Sequence, residues 1–428
     1  MAEHFVNVDR QTPMLLPPDL RDWVAGDDLC GFILEAVETC QMRTARVNQR
    51  GTGSAQYPPG MMVALLIYCY ATGVFSSRRI ERATYDSVAV RYLCANHHPD
   101  HDTIAAFRRQ NQELFEECFA EVLLLARLSG VLKVGTIAID GTRLPGAGSR
   151  RSLRSLSELE AELQAIAAQM RARGEQADLL EKESAGTQLP PELASAEARR
   201  QKLLAAKKQI EARRQQARES GRRDGPQSGR RTAHASVSEP DTRRLRRGAG
   251  DFVQGYNAQV AADAGQSGLI LGMHLGDAPA DSAQLRPGLA ALCPAAGAPA
   301  VVLVDKGYDH AEHIAAVEAE FGLTVLCPPQ ARPMVRSGTP RKGRRQRVFA
   351  LRQRMRQRLA QPASAALFAR RKTTVEGVFA RLKAHLGFTR FHCWGRKAAS
   401  AEWMLLGLAH NLRKLCGKMA VHPTAKPA

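Results

Sequence analysis

The sequence predicts an α/β protein: a mixed sheet flanked by helices, preceded by an N-terminal helical domain and interrupted after its first strand by a helical insertion. Three observations predict it. Apolar runs of strand length at residues 134–140 and 300–305 are interleaved with helix-period segments in the second half of the chain. Residues 1–131 carry apolar positions mainly at helical spacing. Between 152 and 221 the composition shifts to Ala, Glu, Gln, Leu, Lys and Arg, the make-up of paired helices.

The elements follow in order. Residues 29–37 and 61–75 are spaced as buried helices, the second entered through Tyr57-Pro-Pro-Gly. Ser76 and Ser77 are placed to cap a short basic helix, Arg78-Arg-Ile-Glu-Arg. Beyond a polar turn at residues 96–101, Asp102 or Thr103 caps one long helix with Ile104, Phe107, Leu114, Phe119, Val122 and Leu123 on its apolar face, and Gly130 ends it. Residues 132–150 hold the first core strand. In 151–250, Leu156, Leu159, Leu163, Ile166 and Met170 form a coiled-coil seam, Pro190 and Pro191 break it, and Ala196, Leu203 and Ile210 begin a returning arm. The Gly, Ser and Arg-rich residues 220–249 read as a flexible linker.

The rest of the core falls in 251–418, followed by a tail, 419–428. It comprises a hairpin of strands 256–262 and 269–275, a helix at 281–292, the strand at 300–305, a helix at 311–321, a short strand at 323–327, and a late helix beginning near Thr373 or Thr374 and ending at Gly387.

Composition narrows the function. At 428 residues there is room for two or three domains, each with its own core. The formal charge of +19 is clustered, with no amphipathic anchor beside it, which favours nucleic acid over a membrane surface. Nine scattered cysteines include no Cys-x-x-Cys pair, so a reducing cytoplasm is expected, in association with the nucleoid. His97, His98, His101 and Cys94 match no standard zinc spacing and read as a polar turn.

Three carboxylates stand out, two of them by isolation. Glu376 is the only acid between Phe321 and Ala401, Asp140 the only one between Val122 and Ser157, and Asp305 closes its apolar run. Singly, each has a structural explanation: an Asp after a strand caps the next turn, and Glu376 has Lys372 four residues before it. As a set they suit hard divalent cations, which prefer oxygen ligands.

Asp140 ending one strand, Asp305-Lys-Gly-Tyr ending another, and Lys372-Thr-Thr-Val-Glu376-Gly-Val-Phe-Ala-Arg-Leu-Lys383 on a late helix resemble the DDE transposases of bacterial insertion sequences. Leu15-Leu-Pro-Pro-Asp-Leu, Tyr57-Pro-Pro-Gly, Asp102-Thr-Ile-Ala-Ala-Phe-Arg-Arg109, Gly255-Tyr-Asn-Ala-Gln and Ala409-His-Asn-Leu-Arg-Lys are similar to insertion sequence family eleven-eighty-two. Relatives carry Tyr, two residues, Arg, three residues, Glu, six residues, Lys. Here the Glu376 to Lys383 spacing is kept, with Lys372 in the Arg slot and Ala369 in the Tyr slot.

The resemblance implies a ribonuclease H-like core in which Asp140, Asp305 and Glu376 hold two Mg²⁺ ions, replaceable by Mn²⁺, to cut DNA and transfer strands at the ends of the element. It also implies DNA ends and target DNA as partners, with a homodimer or larger assembly on DNA. Arg78, Arg79, Arg108 and Arg109 in the N-terminal domain, and Arg344, Arg345, Arg371, Lys372, Lys383, Arg390 and Arg396 in the core, are the expected DNA contacts. Phe391 and Trp394 either stack on an unpaired base or pack in the core. A nuclease that cuts without joining, and an inactive transposase-derived regulator, remain the alternatives.

Overall fold

The computed structural model describes residues 19–24, 28–47, 55–180, 191–219, 234–247, 251–276, 278–330 and 342–421. The N-terminal helices are α1 (Leu29–Glu38), α2 (Pro59–Ala71), α3 (Ser77–Asp86), α4 (Val88–Leu93), α5 (His101–Gln110) and α6 (Gln112–Leu128). Helix α2 is apolar all round and is the buried centre of this group. The single long helix expected after residue 102 is two helices. Asn111 interrupts it because its side chain bonds backbone instead, donating to Phe107 O at 2.9 Å and accepting from Arg46 N at 2.7 Å. The cap is Asp100, which accepts from the N–H groups of Asp102 and Thr103.

The central strand β1 (Thr136–Pro145) runs five residues past Asp140, so that aspartate lies within the strand and not at its end. Its neighbours are β5 (Phe252–Asp263), antiparallel with Asp140 opposite Val260, and β7 (Val301–Leu303), parallel with Ile137 opposite Val302. β6 (Ile270–Gly276) pairs antiparallel with β5, and β8 (Thr324–Leu326) parallel with β7. The order β6-β5-β1-β7-β8, three antiparallel strands followed by two parallel ones, is the ribonuclease H-like arrangement.

An insertion leaves the sheet after β1. Its base is a two-stranded ribbon of β2 (Leu153–Ser155) and β3 (His234–Ser236), and its arms are α7 (Leu156–Leu180) and α8 (Pro191–Glu219). Leu159, Ile166, Leu203, Ala206, Ile210 and Ala235 form a core of its own. Lys207 pairs with Glu160 and Arg199 with Glu162, so the arms run antiparallel. The reading of 220–249 as a linker is corrected over 234–247 by β3 and by β4 (Arg243–Arg246), which adds to the edge of β5; 220–233 and 248–249 lie outside the described residues. One buried side chain, Leu245, anchors β4 while its backbone pairs, so arginine-rich composition hid a strand.

The helix expected at 281–292 is a 3₁₀ turn, Asp281–Ala283, followed by α9 (Leu285–Ala290). Then come α10 (Ala311–Phe321), α11 (Lys342–Ala360), α12 (Pro362–Arg371), α13 (Gly377–Ala380) and α14 (Arg396–Val421). Helix α14 joins the two halves, packing on β6 and on α2 and α6. Trp403 donates to Gln259 O at 3.0 Å, and Asn411 brackets Ile270, accepting from its N–H and donating to its C=O, both at 2.8 Å. This accounts for the Ala409-His-Asn-Leu-Arg-Lys motif: its asparagine closes the open edge of β6.

Gly255 of the Gly255-Tyr-Asn-Ala-Gln motif lies opposite Pro145, where a Cβ would stand 1.9 Å from Leu144 O. Backbone cannot yield as a flexible side chain would. Gly255→Ala is therefore expected to destabilise the fold by about 1–3 kcal/mol, read as a lower urea midpoint. An unchanged midpoint would show that β1 and β5 separate freely here.

Candidate active site

Asp140 is partly buried on β1, and its Oδ1 accepts from the Gly141 N–H at 2.8 Å. Its Oδ2 pairs with Arg371 Nη1 at 3.0 Å. Burial raises the Asp140 carboxyl above its ordinary range; Gly141 and Arg371 oppose this, and the Asp305 carboxylate adds to the rise. Asp305 stands two residues past β7, the neighbour of β1, and caps the turn Lys306–Tyr308 by accepting from the Gly307 N–H at 2.7 Å. The turn-capping role and closeness to a second carboxylate are thus both present.

Helix α12 continues through Lys372–Glu376 as a π-turn, then α13, then a second π-turn, Arg381–His385. In an α-helix residues five apart point ~140° from one another. A π-turn, bonded i to i+5, brings them back toward one side, so Arg371 and Glu376 are closer in direction than α-helical phasing allows. Val375, Val378 and Leu382 are buried and hold this run against β1 and β5. Glu376 is exposed, with no protein partner among the described residues. Lys383 reaches back to the Thr142 hydroxyl. Burial, then Arg247, lowers the Lys383 ammonium, with Asp140 opposing.

On the other side of β1 lies a polar network that sequence reasoning missed. Asp281 pairs with Arg143 at 2.9 Å and accepts from Asn257 Nδ2 at 3.0 Å. Tyr308 donates to Gln259 Oε1 at 2.5 Å, and Gln259 donates to Asn257 Oδ1 at 3.0 Å. Burial first, then Asp281, Asp140 and Asp305, keeps the Tyr308 phenol far above its usual range, so it serves as a donor. Gly141 admits the buried Gln259, whose Nε2 would lie 2.0 Å from a Cβ there. The available signal was two amides at alternate positions, Asn257 and Gln259, in the otherwise apolar segment 256–262.

Arg371 and Lys383 are the expected DNA contacts gathered beside Asp140; Lys372, Arg78, Arg79 and Arg109 are exposed. Arg108 is not on the surface. It is 4% exposed and donates to Tyr70 Oη at 2.7 Å and Phe75 O at 2.8 Å, with Glu402 behind them. Arg344 pairs with Glu312, Arg352 with Asp309 and Arg358 with Glu318, tying α11 to the core and leaving Arg347, Arg354 and Arg356 exposed. Arg396 bonds Leu275 O, and Arg390 donates to Gly146 O and Ala147 O. The Arg345 side chain, Arg341 and residues 15–18 lie outside the described residues. His98 bonds Thr84 and His101 pairs with Glu81. Among the described residues no two cysteines form a disulfide.

Asp140 and Asp305 fit a divalent cation by donor chemistry, since both offer carboxylate oxygens and a cation would offset both the burial and the lesser Asp305 repulsion that raise Asp140. Among the described residues no three Asp, Glu, His or Cys side chains are gathered closely enough to form a metal site, Asp140, Asp305 and Glu376 included.

A ribonuclease H-like sheet together with the family match defines a polynucleotidyl transferase class of core. The family model described as Transposase DDE domain matches residues 227–412, and a second, Transposase domain (DUF772), matches residues 18–110. The chain belongs to the DDE transposases of insertion-sequence type. Asp305 and Glu376 lie within the first match, while Asp140 falls between the two. No curated protein and no solved structure matches. No helix among the described residues is long and apolar enough to cross a membrane.

Proposed function

We propose that this transposase, of the insertion sequence family eleven-eighty-two type, binds the ends of its element, cuts them, and joins the freed 3′ hydroxyl to target DNA. Asp140, Asp305 and Glu376 are the ligands of two Mg²⁺ ions, for which Mn²⁺ can substitute. When bound, the ions supply an activated hydroxyl and stabilise the departing 3′ oxygen. The observation that carries the reading is the convergence of Asp140, Asp305, Arg371 and Lys383 at one edge of the central strands.

The chain's own residues have separate tasks. Arg371 and Lys383 offer two cations to a phosphate beside Asp140, and Lys372 extends that charge outward. Gly141 and Gly307 fix the two aspartates through backbone N–H groups. Arg78, Arg79, Arg109, Arg347, Arg354 and Arg356 supply sequence-independent affinity at the surface. Two ends held together require at least a dimer on DNA. Such a protein works at the nucleoid in the cytoplasm.

The test is incubation with DNA carrying the inverted repeats that flank the gene, with Mg²⁺ or with chelator. Metal-dependent nicked ends and joined products are expected; cutting without joining would favour the nuclease alternative. End binding is expected to weaken by about a thousandfold between 50 and 200 mM salt if six or more phosphates are contacted. A flat salt profile would rule out phosphate-led binding.

A further inference from the structure

The β1–β7 ladder ends at the pair Ala138–Leu303, and Asp140 and Asp305 each stand two residues beyond it. Past that pair the ladder no longer sets the separation of the two carboxylates. We propose that Gln259 sets it: one buried amide braces the Asp140 and Asp305 segments against each other, which makes Gln259 a positioning residue for both aspartates. The proposal rests on the metal-ligand reading of Asp140 and Asp305 above and adds to it the side chain that holds them in register.

The brace is built from both sides. Gln259 lies opposite Gly141 in the β1–β5 pair, and its side chain runs over that glycine, with Nε2 2.0 Å from where a Cβ would stand. A larger residue at 141 would push the amide away, and Gly141 is the residue whose N–H holds Asp140 Oδ1 at 2.8 Å. At its other end the amide oxygen, Oε1, accepts from Tyr308 Oη at 2.5 Å. Tyr308 closes the turn that Asp305 caps, its own N–H donating to Asp305 O at 3.1 Å. The path from one aspartate to the other is therefore Asp140, Gly141, Gln259, Tyr308, Asp305.

The place needs an amide. While the oxygen end accepts from Tyr308, the nitrogen end donates to Asn257 Oδ1 at 3.0 Å and to Asp281 Oδ1 at 3.4 Å. Asp281 is itself pinned by Arg143 at 2.9 Å. A donor on one side and acceptors on the other leave the amide a single orientation. Gln259 and Tyr308 are both buried, so water does not compete for their bond and does not replace a lost partner.

Two sequence motifs meet in this bond. Gly255-Tyr-Asn-Ala-Gln and Asp305-Lys-Gly-Tyr join through their final residues, Gln259 and Tyr308. With the amide locked, the turn after Asp305 has one position relative to β1, as two carboxylates that share cations require. Side chains that orient metal ligands from behind are commonly worth about ten- to a hundredfold in metal affinity.

The test uses the full chain with Mn²⁺ as the probe, binding being read from the electron paramagnetic resonance signal of the free ion. Tyr308→Phe and Gln259→Met nearly keep the shape of their side chains, and each removes one end of the bond. Each is expected to weaken Mn²⁺ binding about tenfold and to raise the Mg²⁺ concentration for half-maximal cleavage by a similar factor, with affinity for the element ends unchanged. The double variant is expected to lose no more than either single one, because the same bond is broken once. Gly255→Ala, which weakens the same strand pair without touching the brace, is the structural control and should bind Mn²⁺ like the wild type. Thermal melts check that each variant folds. Asp305→Asn gives the reference for a lost ligand. If it loses Mn²⁺ binding while folded Tyr308→Phe and Gln259→Met both keep wild-type affinity, the brace is overturned and the metal reading stands. If Asp305→Asn itself binds Mn²⁺ like the wild type, both fall.

Discussion

Asp305→Asn and Asp140→Asn are each expected to lower Mg²⁺-dependent cleavage and joining by about a thousandfold or more, a loss of roughly 4 kcal/mol in transition-state stabilisation. The substitutions are nearly isosteric. An Asn side-chain oxygen still accepts from Gly307 N or Gly141 N, so the local turn and strand survive while the anionic ligand is lost. End binding should hold or strengthen slightly, because a negative charge leaves a site meant for phosphate, and the melting temperature should move little. Glu376→Gln, at an exposed position, is expected to show the same catalytic loss without any structural effect. Wild-type cleavage by Asp305→Asn would sink the assignment; wild-type cleavage by Glu376→Gln alone would remove only the third ligand.

Glu402→Ala is expected to destabilise the protein by about 3–5 kcal/mol, because it strands the Arg108 charge in the interior. Glu402 is fully buried in α14. It accepts from Tyr70 Oη at 2.9 Å, His392 N at 2.8 Å and Cys393 N at 3.1 Å, with Arg108 4.0 Å away. Burial alone would raise this carboxyl, yet the His392 hydrogen bond and the Arg108 charge outweigh it and hold the group below its ordinary value. A depressed folded pKa contributes stability that is complete above the unfolded value, about 4.3, and is lost as pH falls through the folded one. The gap in urea midpoint between wild type and Glu402→Ala should therefore be wide at pH 7 and narrow at pH 3. Equal midpoints at pH 7 would mean that Arg108 finds another partner.

What was legible in the sequence depended on contrast. Asp140 and Glu376 stood out because acids are scarce around them and Asp305 because it closes an apolar run, and the sheet was visible because its strands are short apolar runs between turn residues. Arg108 was misplaced because a guanidinium beside Arg109 looks like surface, and only a distant acid, Glu402, makes its burial tolerable. Helical phasing set Lys372 one turn before Glu376; a π-turn adds a residue to the repeat and brings Arg371 toward that side, and nothing in Lys372-Thr-Thr-Val-Glu376 announces it. Asp281 was hidden at the start of the helix expected at 281–292; its partners Arg143, Asn257 and Gln259 come together only once β1 and β5 pair. The break at Asn111 likewise depends on Arg46, far away in sequence.

The ribbon of β2 and β3 has a consequence for how this gene can vary. It zips the two ends of the insertion together, and Arg213 stitches the returning arm to Pro240 O and Thr242 O just before β4. The catalytic sheet is therefore joined to the insertion at a short stem of fixed span, whatever the reach of the arms beyond it. Lengthening both arms by matching turns changes loop-closure entropy only logarithmically and leaves the spacing of β1 and β5 untouched. In that sense the hairpin is a detachable cassette, free to drift in length and partner while the chemistry beneath it stays fixed.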